Sequence, residues 1–246
     1  MRKFIIIAIL LIYASLSAFQ SGEKLTFKIK YGFITGGSAV LEVNDYIYND
    51  SLQCYKITSV AKTGSVLDKV YKVRDKIESV MDTSGEYSYR FKKNLREGSY
   101  RQKRTHYFYP NQGLTIFMNY KRKQKIWKEK RFDIPQQTHD VLSAFYWARM
   151  QDLQVGKTEE VNVTVDGGSH IAKVVVHRKE TIKTIFGKKE CLVIEPLLKG
   201  EALFKQTGHI LIWVTNDEYK IPVKLQSKVI FGSFKAILKK AENVPY

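Results

Sequence analysis

Cysteine and proline are scarce in this chain, and several familiar signals are missing altogether. Only two cysteines, Cys54 and Cys191, occur in 246 residues, which excludes a disulfide-rich scaffold. Five prolines and no low-complexity stretch exclude a chain divided by linkers or left disordered. No apolar run reaches the roughly 20 residues that a transmembrane helix requires. There is no Gly-x-Ser-x-Gly, no His-Glu-x-x-His, no phosphate loop and no dinucleotide fingerprint. The histidines, His106, His139, His170, His177 and His209, fall mostly on strand patterns without paired ligand spacing. Neither a metal nor a cofactor is therefore expected, and no catalytic set stands out. Carboxylates that converge only in space remain open, as in glycoside hydrolysis.

The first residues point to a compartment. Arg2 and Lys3 precede an unbroken apolar run, residues 4–13, and the small residues Ala14, Ser15, Ser17 and Ala18 follow. That order is a secretory signal peptide, with cleavage expected after Ser17 or Ala18. No cysteine lies among the small residues, so no lipid-attachment box is expected. Residues 1–18 are thus expected to be removed and 19–246 to form a single β domain in the periplasm, association with the outer membrane being left open. The formal net charge is +17, and loss of Arg2 and Lys3 leaves +15. Such a surface attracts anions: acidic lipid head groups, lipopolysaccharide phosphates or acidic glycans. Export makes nucleic acid the poorest candidate. The basic residues are also spread along the chain, so solvated strand faces account for them equally well.

Period-two patterning dominates. In residues 24–31, Leu25, Phe27, Ile29 and Tyr31 fall on one face and Thr26, Lys28 and Lys30 on the other, as in a half-buried strand. Similar patterns recur at 39–43, 54–61, 73–81, 87–93, 100–109, 114–120 and 124–134, then at 158–165, 170–181, 190–197, 209–215, 221–229 and 233–238. Turn residues separate them: Gly36-Gly37, Asn49-Asp50, Pro110 to Gly113, Asp166-Gly167-Gly168 and Phe231-Gly232. About a dozen strands with short connections predict a mostly β fold, one large curved antiparallel sheet in the form of a half-barrel or open barrel. Export permits a disulfide between Cys54 and Cys191, and closing so long a loop would contribute about 4 kcal/mol. Each cysteine also opens an apolar strand pattern, where a reduced thiol packs as a small hydrophobe.

One segment breaks the alternation. Residues 138–150 read as a single covering helix, with Thr138 as N-cap, Asp140 in the first turn and nearly all sides apolar from Val141 to Ala148. Asp140 and Arg149 lie nine positions apart, on opposite sides of such a helix, so each needs its own partner. Asp140 suits the capping of backbone or a strand-borne cation, and Arg149 suits a phosphate or carboxylate. Alternatively both are pegs that fix the helix to the sheet. With Phe145, Tyr146 and Trp147 they are the candidate ligand-binding or lid residues. The strand aromatics Tyr87, Tyr89, Phe91, Tyr100, Tyr107, Tyr109, Phe117 and Tyr120 would either line a cavity beneath this helix or fill the core.

The run Asp140-Val-Leu-Ser-Ala-Phe-Tyr-Trp-Ala-Arg149, then Leu153-x-x-Gly156, Ile212-Trp-Val-Thr-Asn-Asp217 and Ile221-Pro-Val223, follows the glycine-bearing segment 25–43 and the basic strands around Arg96-Glu97-Gly98. In that order these motifs resemble the bacterial exported family called domain of unknown function 3108, over nearly the whole mature length. The resemblance implies an envelope protein with a curved antiparallel sheet, similar in outline to lipoprotein-carrier half-barrels; the family has no settled biochemical function, so it speaks to fold and location more than to activity. Three functions follow as expectations. The first is a non-catalytic carrier for an amphipathic, anionic, lipid-like envelope molecule, with contact to an anionic membrane surface. The others are a scaffold that binds a protein or glycan through its surface, and a hydrolase whose residues meet only in the fold.

Overall fold

The structure is a computed structural model, and it describes residues 18–198, 209–228 and 233–246. The expected signal peptide, apart from Ala18, and the expected Phe231-Gly232 turn lie outside the described residues. The first half is an antiparallel meander: β1 Lys24–Tyr31, β2 Ile34–Tyr48, β3 Leu52–Thr63, β4 Arg74–Asp82, β5 Ser88–Glu97, β6 Tyr100–Tyr109, β7 Leu114–Lys121 and β8 Ile126–Asp133. A short helix, α1 Ser65–Asp68, interrupts it after β3. Next come the two-residue strand β9 Thr138–His139 and the helix α2 Val141–Met150. A second meander follows: β10 Thr158–Val165, β11 Gly168–Thr184, β12 Gly187–Leu198, β13 Ile210–Thr215, β14 Pro222–Lys228 and β15 Ser233–Glu242.

The fifteen strands of the described residues belong to one sheet, in the order β8 through β1, then β15 down to β9. Pairing of β1 with β15 joins the two meanders along the first and last strands of the chain. The edge strands β8 and β9 do not pair with each other, so the sheet is a half-barrel, as the alternation predicts. One pair is parallel, β9 with β10.

Two local expectations are corrected. Gly36-Gly37 is not a turn but lies within β2, and the chain reverses at Gly32-Phe33, where Gly32 has φ +55°. Glycine is needed at 37 because a Cβ there would sit 2.1 Å from the Lys62 carbonyl oxygen of β3. Thr138 is not the helix cap. It forms β9 with His139, and the helix begins only after Asp140.

The helix lies inside the curve of the sheet and contacts both halves. Tyr146 packs with Val43, Ile57 and Met81 of β2 to β4, and Leu142 packs against Phe91 and Phe108. From the other half, Ala144 meets Val161, Val163 and Ala172, and Ala148 meets Leu192 and Ile212. A further core joins β1 and β15 to β12–β14 through Leu25, Phe27, Val193, Trp213 and Leu238.

The open side is bridged by side chains. The β10–β11 connection, Asp166-Gly167, has positive φ at both residues (50° and 93°), the geometry of a tight hairpin turn. Its tip reaches the first meander, where Asp166 binds Lys93 at 2.8 Å and Arg104 at 2.7 Å, and Lys130 donates to the Gly167 carbonyl. Burial pushes the Asp166 carboxyl up, and the two cations outweigh it and hold it below its ordinary value.

Candidate functional site

The helix start is fixed by a reciprocal cap. Asp140 Oδ1 accepts from the Leu142 and Ser143 amides at 2.8 and 3.0 Å, while Ser143 Oγ accepts the Asp140 amide. Asp140 Oδ2 accepts from Ser79 of β4 at 2.6 Å and Ser88 of β5 at 2.9 Å. The carboxylate is fully buried, so its oxygens serve the helix end and two strands and none faces solvent.

Arg149 fixes the other end. Its Nη1 and Nη2 grip Glu23 at 2.6 and 2.8 Å, Nη2 donates to the Ala18 carbonyl, and Nε and Nη2 donate to the Tyr219 carbonyl. Phe19 and Tyr146 rings lie 5.5 and 5.1 Å from the guanidinium carbon. Burial alone would lower the Arg149 pKa, and the Glu23 carboxylate outweighs it, so the pKa is raised and the charge kept. Both side chains are therefore internal pegs with no access for a ligand, which corrects their candidacy as ligand-binding residues. The carboxylate that suits Arg149 belongs to Glu23, a residue that sequence pattern leaves unmarked because the pairing spans 126 positions.

The three aromatic candidates diverge. Tyr146 is fully buried, edge-on to Phe19 at 4.7 Å. Trp147 turns toward a small polar pocket that it lines with His139, Met150 and Gln151. Phe145 lines an apolar pocket of about 300 Å³ between α2 and β10–β14. Val141, Ala144 and Ala148 form the helix wall of this pocket. Val163, Ala172, Val174, Ile194, Ile212 and Leu225 form the sheet wall, and among the described residues no polar or charged side chain lines it.

The strand aromatics do not share one lining. Ladder registry puts Phe91, Phe108 and Phe117 on the helix side, with the buried His106 stacked on Phe117 at 4.5 Å. Tyr107, Tyr109 and Tyr120 fall on the opposite face. The alternation is in the sequence, but which parity faces inward depends on registry across the sheet.

Burial pushes the Cys54 and Cys191 thiols up to about 11, so both are protonated and poor nucleophiles at neutral pH. Both are free and buried, on β3 and β12 with five strands between them in the sheet order, so the disulfide that export permits is absent. Among the described residues no group of three or more His, Cys, Asp or Glu is placed to hold a metal ion. Glu195 accepts from His177 at 2.7 Å and His209 at 2.6 Å in a shallow pocket away from α2. No helix of the described residues is long and apolar enough to cross a membrane.

An open half-barrel curved around a pegged helix, with an aliphatic pocket beside that helix, defines a class of β-barrel-like proteins. Within it, the chain belongs to the family described as protein of unknown function DUF3108, whose model matches residues 26–239. No curated protein matches it. Among solved structures, a β-barrel-like protein of domain of unknown function DUF1849 from Brucella abortus is similar. It is 13% identical, with a TM-score of 0.63, and the match covers 92% of this chain and 99% of that one. At that identity the likeness is one of fold alone. A Bacteroides fragilis protein, described as a candidate exported protein with a YmcC-like fold, matches 91% of this chain and 97% of its own at 11% identity. Its TM-score of 0.32 is too low to carry weight.

Proposed function

We propose that this is an exported, non-catalytic binding or carrier protein that takes the apolar part of an amphipathic envelope molecule, such as one acyl chain, into the pocket beside α2. The observation that carries this is the pocket itself, about 300 Å³ lined by aliphatic side chains and Phe145. That volume lies at the small end of ligand sites, which span about 300–1,000 Å³, and suits a single chain better than a multi-acylated lipid. Ala144, Ala148 and Ala172 leave the space that larger residues would fill. The helix pegs make the site preformed, so binding would not require a lid to move. The signal-peptide pattern of residues 1–18 supports a periplasmic location, and the positive net charge favours an anionic head group outside the pocket.

Native mass spectrometry of protein purified from the envelope is expected to show a lipid-sized adduct. Ala172→Phe, which projects a ring into the pocket, is expected to abolish it at a stability loss of about 1–3 kcal/mol. Protein that is always empty, or an adduct that survives the substitution, would overturn the assignment.

A further inference from the structure

The face of the sheet turned away from α2 carries a groove that the pocket reading leaves unused. Ladder registry places Arg90, Lys92 and Asn94 of β5, Lys103, Thr105 and Tyr107 of β6, and Ile116, Met118 and Tyr120 of β7 on this face. Trp127 and Glu129 of β8 continue it. Two adjoining hollows, about 740 and 400 Å³, share Asn94 and Lys103.

The hollows differ in chemistry. The larger has an aliphatic floor, Ile116 and Met118, flanked by Tyr107, Tyr109 and Trp127; Lys76, Lys92, Lys93, Lys103 and Arg104 also line it, Lys93 and Arg104 being held by Asp166 and Lys76 by Glu78. Tyr109 and Trp127 are 39% and 47% exposed, so their faces are free to be covered. Its two carboxylates are matched locally, Glu78 by Lys76 and Lys56, and Glu129 by Arg131. The smaller hollow is lined by Arg96, Arg101, Lys103, Arg122 and Lys125 and by no acid. Among the described residues these five cations have no carboxylate within 4 Å, and Arg101 Nη1 donates only to the carbonyls of Gly98 and Tyr100. Five like charges side by side cost free energy unless an anion lies among them.

We propose that this groove binds a saccharide with an anionic group, phosphate or carboxylate, at one end. The anion lies among Arg96, Arg101, Lys103, Arg122 and Lys125. The uncharged sugar rings lie over Tyr107, Tyr109 and Trp127, with Asn94 and Thr105 available to their hydroxyls. A sugar ring presents an apolar C–H face and a polar rim, which matches ring side chains over an aliphatic floor beside amide and hydroxyl groups. The unpaired cations crowd the smaller hollow, while Lys76, Lys93 and Arg104 of the larger are held by carboxylates, and this argues against nucleic acid, whose strand carries a phosphate at every unit and asks for free cations along the whole track. The site is on the opposite face from the acyl pocket and does not depend on it.

The test uses the full mature chain and titration calorimetry with a maltooligosaccharide carrying one terminal phosphate. Its glucuronate-terminated analogue, the unmodified sugar and an oligothymidylate serve as comparisons. The phosphorylated or the glucuronate-terminated sugar, whichever anion the site prefers, is expected to bind more tightly than the unmodified sugar and the oligothymidylate. Arg101→Ala with Arg122→Ala, and separately Tyr107→Ala with Trp127→Ala, are each expected to weaken binding about tenfold or more. Circular dichroism and the lipid adduct should be unchanged in both pairs. Absence of binding by either anionic sugar, oligothymidylate binding as tightly as either, or loss only in the arginine pair would each overturn the proposal. The last result would indicate a general polyanion surface. Ala172→Phe is expected to leave sugar binding intact, so failure of the acyl pocket and failure of this groove give separable results.

Discussion

Arg149 is held by five hydrogen bonds to Glu23, Ala18 and Tyr219, and almost none of its surface meets water. Removing one partner of so buried a pair strands the other charge. Arg149→Ala is expected to lower unfolding free energy by about 3–5 kcal/mol, and replacing both by apolar residues, Glu23→Leu with Arg149→Met, to recover much of the loss. Urea denaturation of the two variants beside the unaltered protein checks this; equal stability of the single and double variants would refute it. The buried histidines set a pH limit. Burial pushes His106 and His139 down to about 4 from an ordinary 6.5, against smaller opposing effects of Asp166 and Asp82 respectively. Between those values the unfolded chain takes up a proton that the folded chain refuses. Their contribution is therefore complete above pH 6.5 and declines as pH falls to about 4, by at most about 3 kcal/mol for each. Urea midpoints at pH 7 and pH 4.5 should differ, and less so in His106→Gln with His139→Gln; an equal difference in both proteins would rule the histidines out.

At the scale of the element, α2 depends on Asp140 for more than its first turn. The same carboxylate satisfies two helix amides and the hydroxyls of Ser79 and Ser88, so it joins the helix to β4 and β5. Asp140→Ala is expected to cost about 2–4 kcal/mol, above a surface cap, because buried donors lose their acceptor. Asp140→Asn should retain more than half of that, as seen in thermal unfolding; a cost no larger than that of an exposed cap would show that the serines contribute nothing. The sequence marks this helix clearly through its lone apolar run and the turn residues around it. The pegs at its two ends were legible as residue types at opposite sides. Their partners were not, because Ser79, Ser88 and Glu23 lie 61, 52 and 126 positions away from the residues that they bind. β9 is not legible in the sequence, because two residues are too few to show a period.

For the whole molecule, the open side of the sheet relies on Asp166 rather than on a strand ladder. Asp166→Asn leaves Lys93 and Arg104 without their counter-ion, and a loss of about 1–3 kcal/mol is expected. Hydrogen exchange should quicken in β7, β8 and the β10–β11 hairpin more than in β1 and β15; uniform exchange would show that the bridge does not hold the two ends together. Local chemistry, alternation and turn residues by themselves determined that the chain is a curved antiparallel sheet with one inner helix. They also marked its net positive charge, since these properties depend on neighbours in sequence. Only the tertiary structure decided which parity of each strand faces the helix. It placed the aliphatic pocket among β10–β14 rather than among the aromatic strands, turned Arg149 inward to Glu23, and gathered the unpaired cations on the outer face. Each of these follows from registry and from contacts between distant strands, and a one-residue shift in pairing would reverse the faces while leaving the sequence pattern unchanged.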